Sequence, residues 1–172
     1  GRIGSFAGLT YAGNVENPEI GAFFQDTHER LNLIGTDLLF FTLELNLIED
    51  EILARLIEES EALKRYAPWI RGVRVFRPYQ LSDELERLLH EKDVAGRAAW
   101  VRLFDQTMAG LRFEIGGEEM SSEGALHLLS DRDSDVRRRA AIELSRVFEQ
   151  NIRTFSLITN TLAKDKEVED KW

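Results

Sequence analysis

The chain contains no cysteine. Disulfides, thiolate nucleophiles and cysteine-ligated zinc are therefore excluded. Proline is scarce, three in 172 residues, so little interrupts a helix. Histidine is equally scarce, leaving imidazole chemistry few places to sit. Positive charge is in deficit: 22 Lys and Arg stand against 31 Asp and Glu, for a net charge of -9. Phosphate binding needs a cationic face, so nucleic acid and anionic membrane surfaces are excluded as partners. No apolar run is long enough to span a bilayer; the densest, residues 38–47, is short and carries Glu44. Glycine-rich phosphate loops and the GxSxG nucleophile turn are also missing.

What is present reads as helix. The apolar share is 43%, enough for a core, and 31% of residues are charged, as on a well-solvated helical surface. Residues 1–16 are rich in glycine and small side chains and lack a firm period, which predicts a loop or docked arm. Asn17, Pro18 and Glu19 form a helix start. Ile20, Phe23, Phe24, Leu31, Ile34, Leu38, Phe41, Leu45 and Ile48 follow at three- and four-residue steps, one face of a long helix. Its second half, LLFFTLELNL, is apolar on every side and predicts burial all round.

Shorter helices fit 50–59 and 60–75, with Pro68 expected to kink or break the latter. A turn fits 77–80, and Ser82, Asp83 and Glu84 open the next helix. Another fits 97–108. Residues 111–115 alternate, Gly116 and Gly117 follow, and 118–120 complete the pattern of a small β-hairpin. A short helix fits 122–129. From a Ser134 cap one amphipathic helix is expected to run to Trp172, ~58 Å long at 1.5 Å per residue. It meets no closing Gly or Pro, and the chain opens on Gly1 rather than Met; both features predict a piece of a longer polypeptide. The fold class expected is all-α, a multi-helix single lobe over 1–172 with one hairpin near 111–120.

Candidate chemistry is thin. His28-Glu29 and His90-Glu91 each begin a zincin-type helix motif, but the positions that need a second histidine hold Asn32 and Val94. His127 stands alone. Glu44, set in an apolar stretch, is expected to pair with an Arg from another helix rather than act as a tuned acid. Arg137, Arg138 and Arg139 are flanked by Asp131, Asp133 and Asp135, which predicts a solvated face with local salt bridges. Lys164 to Lys171 read as a mixed-sign surface helix. Trp69 and Trp100 are expected in the core, and Trp172 exposed. No catalytic, cofactor-binding or metal-ligating residue is assigned within the chain.

Five segments carry a resemblance: FAGLTYAG (6–13), LLFFTLELN (38–46), RPYQLSDELERLLHEK (77–92), GRAAWVRLFDQTMAGLRFEIGG (96–117) and NIRTFSLITNTLAKDKEVEDKW (151–172). In this order the chain resembles the N-terminal region of oligoendopeptidase F, of the thimet-oligopeptidase-like zinc metallopeptidases. The resemblance implies a cytoplasmic parent hydrolase, mostly helical and two-lobed, that cleaves short peptides inside a channel. It implies zinc held by an HExxH helix with a further Glu, and none of those residues falls in these 172. This chain would then supply part of the channel wall, be inactive alone, hold no zinc, and self-associate through apolar surface. A free-standing helical module that binds a partner helix or peptide is the alternative reading.

Overall fold

The computed structural model describes residues 1–171; the expectation for Trp172 lies outside them. The helices are α1 (Arg2–Gly13), α2 (Pro18–Leu47), α3 (Asp50–Glu59), α4 (Glu61–Arg74), α5 (Asp83–Lys92), α6 (Arg97–Gly110), α7 (Ser122–His127), α8 (Ser134–Gln150) and α9 (Ile152–Glu169). Strands β1 (Phe113–Ile115) and β2 (Glu118–Met120) form one antiparallel pair, and short 3₁₀ turns lie at Arg77–Tyr79 and Leu128–Ser130. The fold is all-α with a small hairpin, as the periodicity predicts. Among the described residues, no single helix is long and apolar enough to cross a membrane.

The chain divides into two compact units. The first comprises Gly1–His28 with Val94–Lys171. Its core gathers Leu111, Phe113, Ile115, Ala125, Ala140, Leu144 and Val147. Three residues of this set alternate along the chain with exposed Arg112 and Glu114, so the hairpin lays its inner face on α7 and α8. Phe113 has no exposed surface and meets Phe148 edge to face at 5.9 Å. Gly116 (φ 68°) and Gly117 (φ 87°) both lie in the left-handed region that the tight two-residue turn requires.

Residues 1–16 do not form a loop or arm, because Arg2–Gly13 is helical. Ala7 and Tyr11, one turn apart, are its buried face, and the Tyr11 ring stacks on Phe24 at 4.6 Å. Packing on α2 thus overrides the poor helix propensity of Gly4 and Gly8. The start of α2 is as expected: the Asn17 side chain accepts from the amides of Glu19 (2.9 Å) and Ile20 (3.2 Å).

The expected single helix over 134–172 is interrupted at Asn151. Asn151 leaves helical geometry (φ -102°, ψ 5°), and its side-chain amide donates to the Val147 carbonyl at 2.9 Å. A short amide competing for a carbonyl of the preceding turn is a known way to end a helix without Gly or Pro. The cap is also one residue earlier than expected: Asp133, not Ser134, accepts from the Asp135 amide.

The second unit is Glu29–Asp93. Helix α4 runs through Pro68 without a break, capped by the Ser60 side chain accepting from the Leu63 amide. Ser82 precedes α5 but makes no capping bond; instead Glu86 reaches back to accept from the Leu81 amide at 2.8 Å. The last half of α2 is not buried all round: Leu43 is inside while Leu38, Phe40, Phe41 and Leu47 are exposed. The neighbours of this unit cover one side of that segment only.

Candidate functional site

The histidines occupy three separate settings. The His28 ring lies 6.0 Å from that of Phe24 within the first unit. His127 is exposed at the end of α7. His90 is half-buried in α5; the Asn32 side-chain amide donates to its carbonyl at 2.9 Å, and its Nε2 is buried without a partner. Residue 35 is glycine for that imidazole: a Cβ there would stand 2.8 Å from His90 Nε2. The Asn at the incomplete motif position is therefore a helix-packing residue. Among the described residues, no three His, Asp or Glu side chains converge to hold a metal ion.

Glu44 is exposed rather than paired. The interhelical arginine contact exists, but with other acceptors. The guanidinium of Arg74 donates to the carbonyls of Leu45 (2.6 Å) and Ile48 (2.7 Å) and to the Asp50 carboxylate (2.5 Å). It closes the C-terminal end of α2, whose last carbonyls lack helical partners, and ties it to the start of α3. The bond from Arg74 holds the Asp50 carboxyl below its ordinary value. The signal for this role was an Arg in the last turn of α4, which also holds Arg71, and sequence reading passed over it.

The other charged candidates are surface devices. Arg137 donates to the backbone carbonyls of Asp131 (2.8 Å) and Arg132 (3.0 Å), not to the flanking carboxylates. Those aspartates instead cap backbone amides, Asp131 that of Asp133 and Asp133 that of Asp135. Lys164 and Lys171 both pair with Glu167, and Lys166 pairs with Asp170, as expected of a mixed-sign helix. On α8, Glu143 accepts from Arg146 and from the Glu114 amide of β1, which holds its carboxyl down to about 2. Burial raises the Tyr11 phenol in the first unit above its ordinary value.

What remains is concave surface. A cleft of about 620 Å³ opens within the second unit. Its walls are Leu39 and Leu43 from α2 and Trp69, Gly72 and Val73 from α4, with Phe76, Tyr79 and Gln80 from the turn that follows. Trp69 is not core: it is half exposed and stacks on Phe41 with ring centroids 6.2 Å apart. Trp100 is half-buried. Asn46, nearly buried, donates to Gln80 Oε1 at 2.8 Å, and its own oxygen is buried without a donor. A cleft of this size with few polar groups is of the kind that takes a ligand side chain. Sequence reading missed it because its walls come from segments about thirty residues apart.

Residues 44–113 match the protein-family model described as Oligopeptidase F, in its N-terminal part. The fold matches the crystal structure of oligoendopeptidase-F from Enterococcus faecium over 98% of this chain, with a TM-score of 0.78 and 24% identity. No curated protein matches the chain. Residues 44–113 are thus similar in sequence to the N-terminal part of the oligopeptidase F family, and nearly the whole chain is similar in fold to an oligoendopeptidase. It spans about a third (34%) of the length of the solved structure it matches.

Proposed function

We propose that this chain is the non-catalytic N-terminal part of a zinc-dependent, cytoplasmic oligopeptidase, and that it lines part of the channel in which short peptides are hydrolysed. The observation that carries the reading is the coincidence of the two matches: the family segment 44–113 lies inside a fold that follows an oligoendopeptidase over 98% of the chain. The zinc would be held, and its bound water activated, by residues beyond these 172. This chain's part is to shape and wall the space that peptides enter. Its net charge of -9 favours entry of peptides that are not strongly acidic. Apolar side chains left exposed on α2, among them Leu33, Ile34, Leu38 and Phe40, would be covered by further polypeptide or, failing that, by self-association.

The test is the whole reading frame. Expressed in full, it should encode HExxH, bind one zinc per chain by elemental analysis, and cleave a quenched fluorescent peptide until a chelator is added. The 172-residue chain alone should do neither. A frame without the motif, or peptide turnover by the 172 residues unaided, overturns the proposal.

A further inference from the structure

Three aromatic side chains that line the cleft of the second unit keep much of their surface open: Trp69 at 49%, Phe76 at 68% and Tyr79 at 78% exposure. Such faces attract cations as well as apolar groups. The polar atoms among them are unevenly spent. The Thr42 hydroxyl donates to the Leu39 carbonyl, and the Asn46 amide donates to Gln80. Acceptors are left over: Asn46, only 7% exposed, has an oxygen without a donor, and Glu86 uses one carboxylate oxygen for the Leu81 amide. Among the described residues that line the cleft, Glu86 alone is charged.

Gly72 is the second observation. It lies inside α4, where glycine costs helix stability, roughly 1 kcal/mol against alanine. Nothing within 4 Å would meet a Cβ at this position. Packing within the unit therefore gives no reason for the missing side chain, which keeps one wall of the cleft low.

We infer that this cleft binds the basic side chain, arginine or lysine, of an extended peptide. The cation stacks among Trp69, Phe76 and Tyr79, the Glu86 carboxylate balances its charge, and the chain's net charge of -9 favours its approach. The inference rests on the proposed peptide-handling role only for the source of the ligand.

The test uses the 172-residue chain and calorimetric titration with three capped peptides, Ac-Ala-Ala-X-Ala-Ala-amide with X as Arg, Ala or Glu. The Arg peptide should bind one to one, and the other two should not. Glu86→Gln keeps an oxygen for the Leu81 amide but removes the charge, and should weaken binding about tenfold or more. Gly72→Leu favours helix yet fills the cleft, and should abolish binding with an unchanged far-ultraviolet circular dichroism spectrum. Absent binding of the Arg peptide, equal binding of the Ala or Glu peptide, or full-strength binding by Glu86→Gln overturns the inference. If Gly72→Leu fails to fold, the Glu86→Gln result decides alone. Hydrolysis plays no part in this readout. A zinc-active parent whose isolated chain ignores the Arg peptide sinks the inference and spares the proposed function. Binding by a chain whose reading frame lacks the metal motif does the reverse.

Discussion

Arg74 ties together three acceptors of the second unit. Its side chain is only 10% exposed, and it satisfies two helix-end carbonyls and one carboxylate at once. Removing it leaves those carbonyls short of a donor. Arg74→Ala should therefore lower unfolding free energy by about 2–3 kcal/mol in urea titration, with Arg74→Lys recovering only part because an ammonium cannot fork. Glu143 is a different case, a half-buried carboxylate paired with the more open Arg146, and its effect shows in pH dependence. Its carboxyl is held down to about 2 from an ordinary 4.5, chiefly by Arg146 and then by the Glu114 amide. A depressed folded value means the contribution is complete above the ordinary value and is lost as pH falls through about 2. Melting curves of the native chain and Glu143→Gln should accordingly differ at neutral pH and converge in strong acid.

At the scale of elements, the starts and stops that were legible rest on local chemistry. Asn17 before α2 accepts from amides two and three residues on, and the paired glycines of the hairpin supply the left-handed backbone of their own turn. The misses have local causes too. Asn151 ends α8 through a carbonyl one turn back, a contact that a hydrophobic-period reading does not weigh. Two glycines separate the turn requirement from the ligand argument. Gly117→Ala forces a Cβ into the left-handed region and should cost about 1–2 kcal/mol, read as a lower denaturant midpoint. Gly72→Ala meets nothing and should instead raise stability by about 0.5–1 kcal/mol in the same assay.

For the whole molecule, the balance of covered and bare apolar surface matters most. The first unit encloses Phe113 completely, whereas α2 carries Leu33, Ile34, Leu38, Phe40, Phe41 and Leu47 exposed. Apolar area on that scale drives association. Sedimentation velocity of the 172-residue chain should show reversible, concentration-dependent self-association that strengthens with added sulfate. Replacing Leu38 and Phe41 by Gln should reduce it. A chain that stays monomeric at high concentration would count against the idea that this face needs a cover.

By itself the sequence determined the helical class, the hairpin, the Asn17 cap and the charge balance. Each depends on periodicity, backbone preference or a neighbour within a few residues. Only the tertiary structure decided that residues 2–13 are helix, that LLFFTLELNL is open on one side, that Trp69 faces a cleft and that Arg74, not Glu44, makes the interhelical contact. Those outcomes turn on which surfaces meet across tens of residues. A residue's own apolar or charged character says that it needs a partner, and the packing of the other helices says whether it has one.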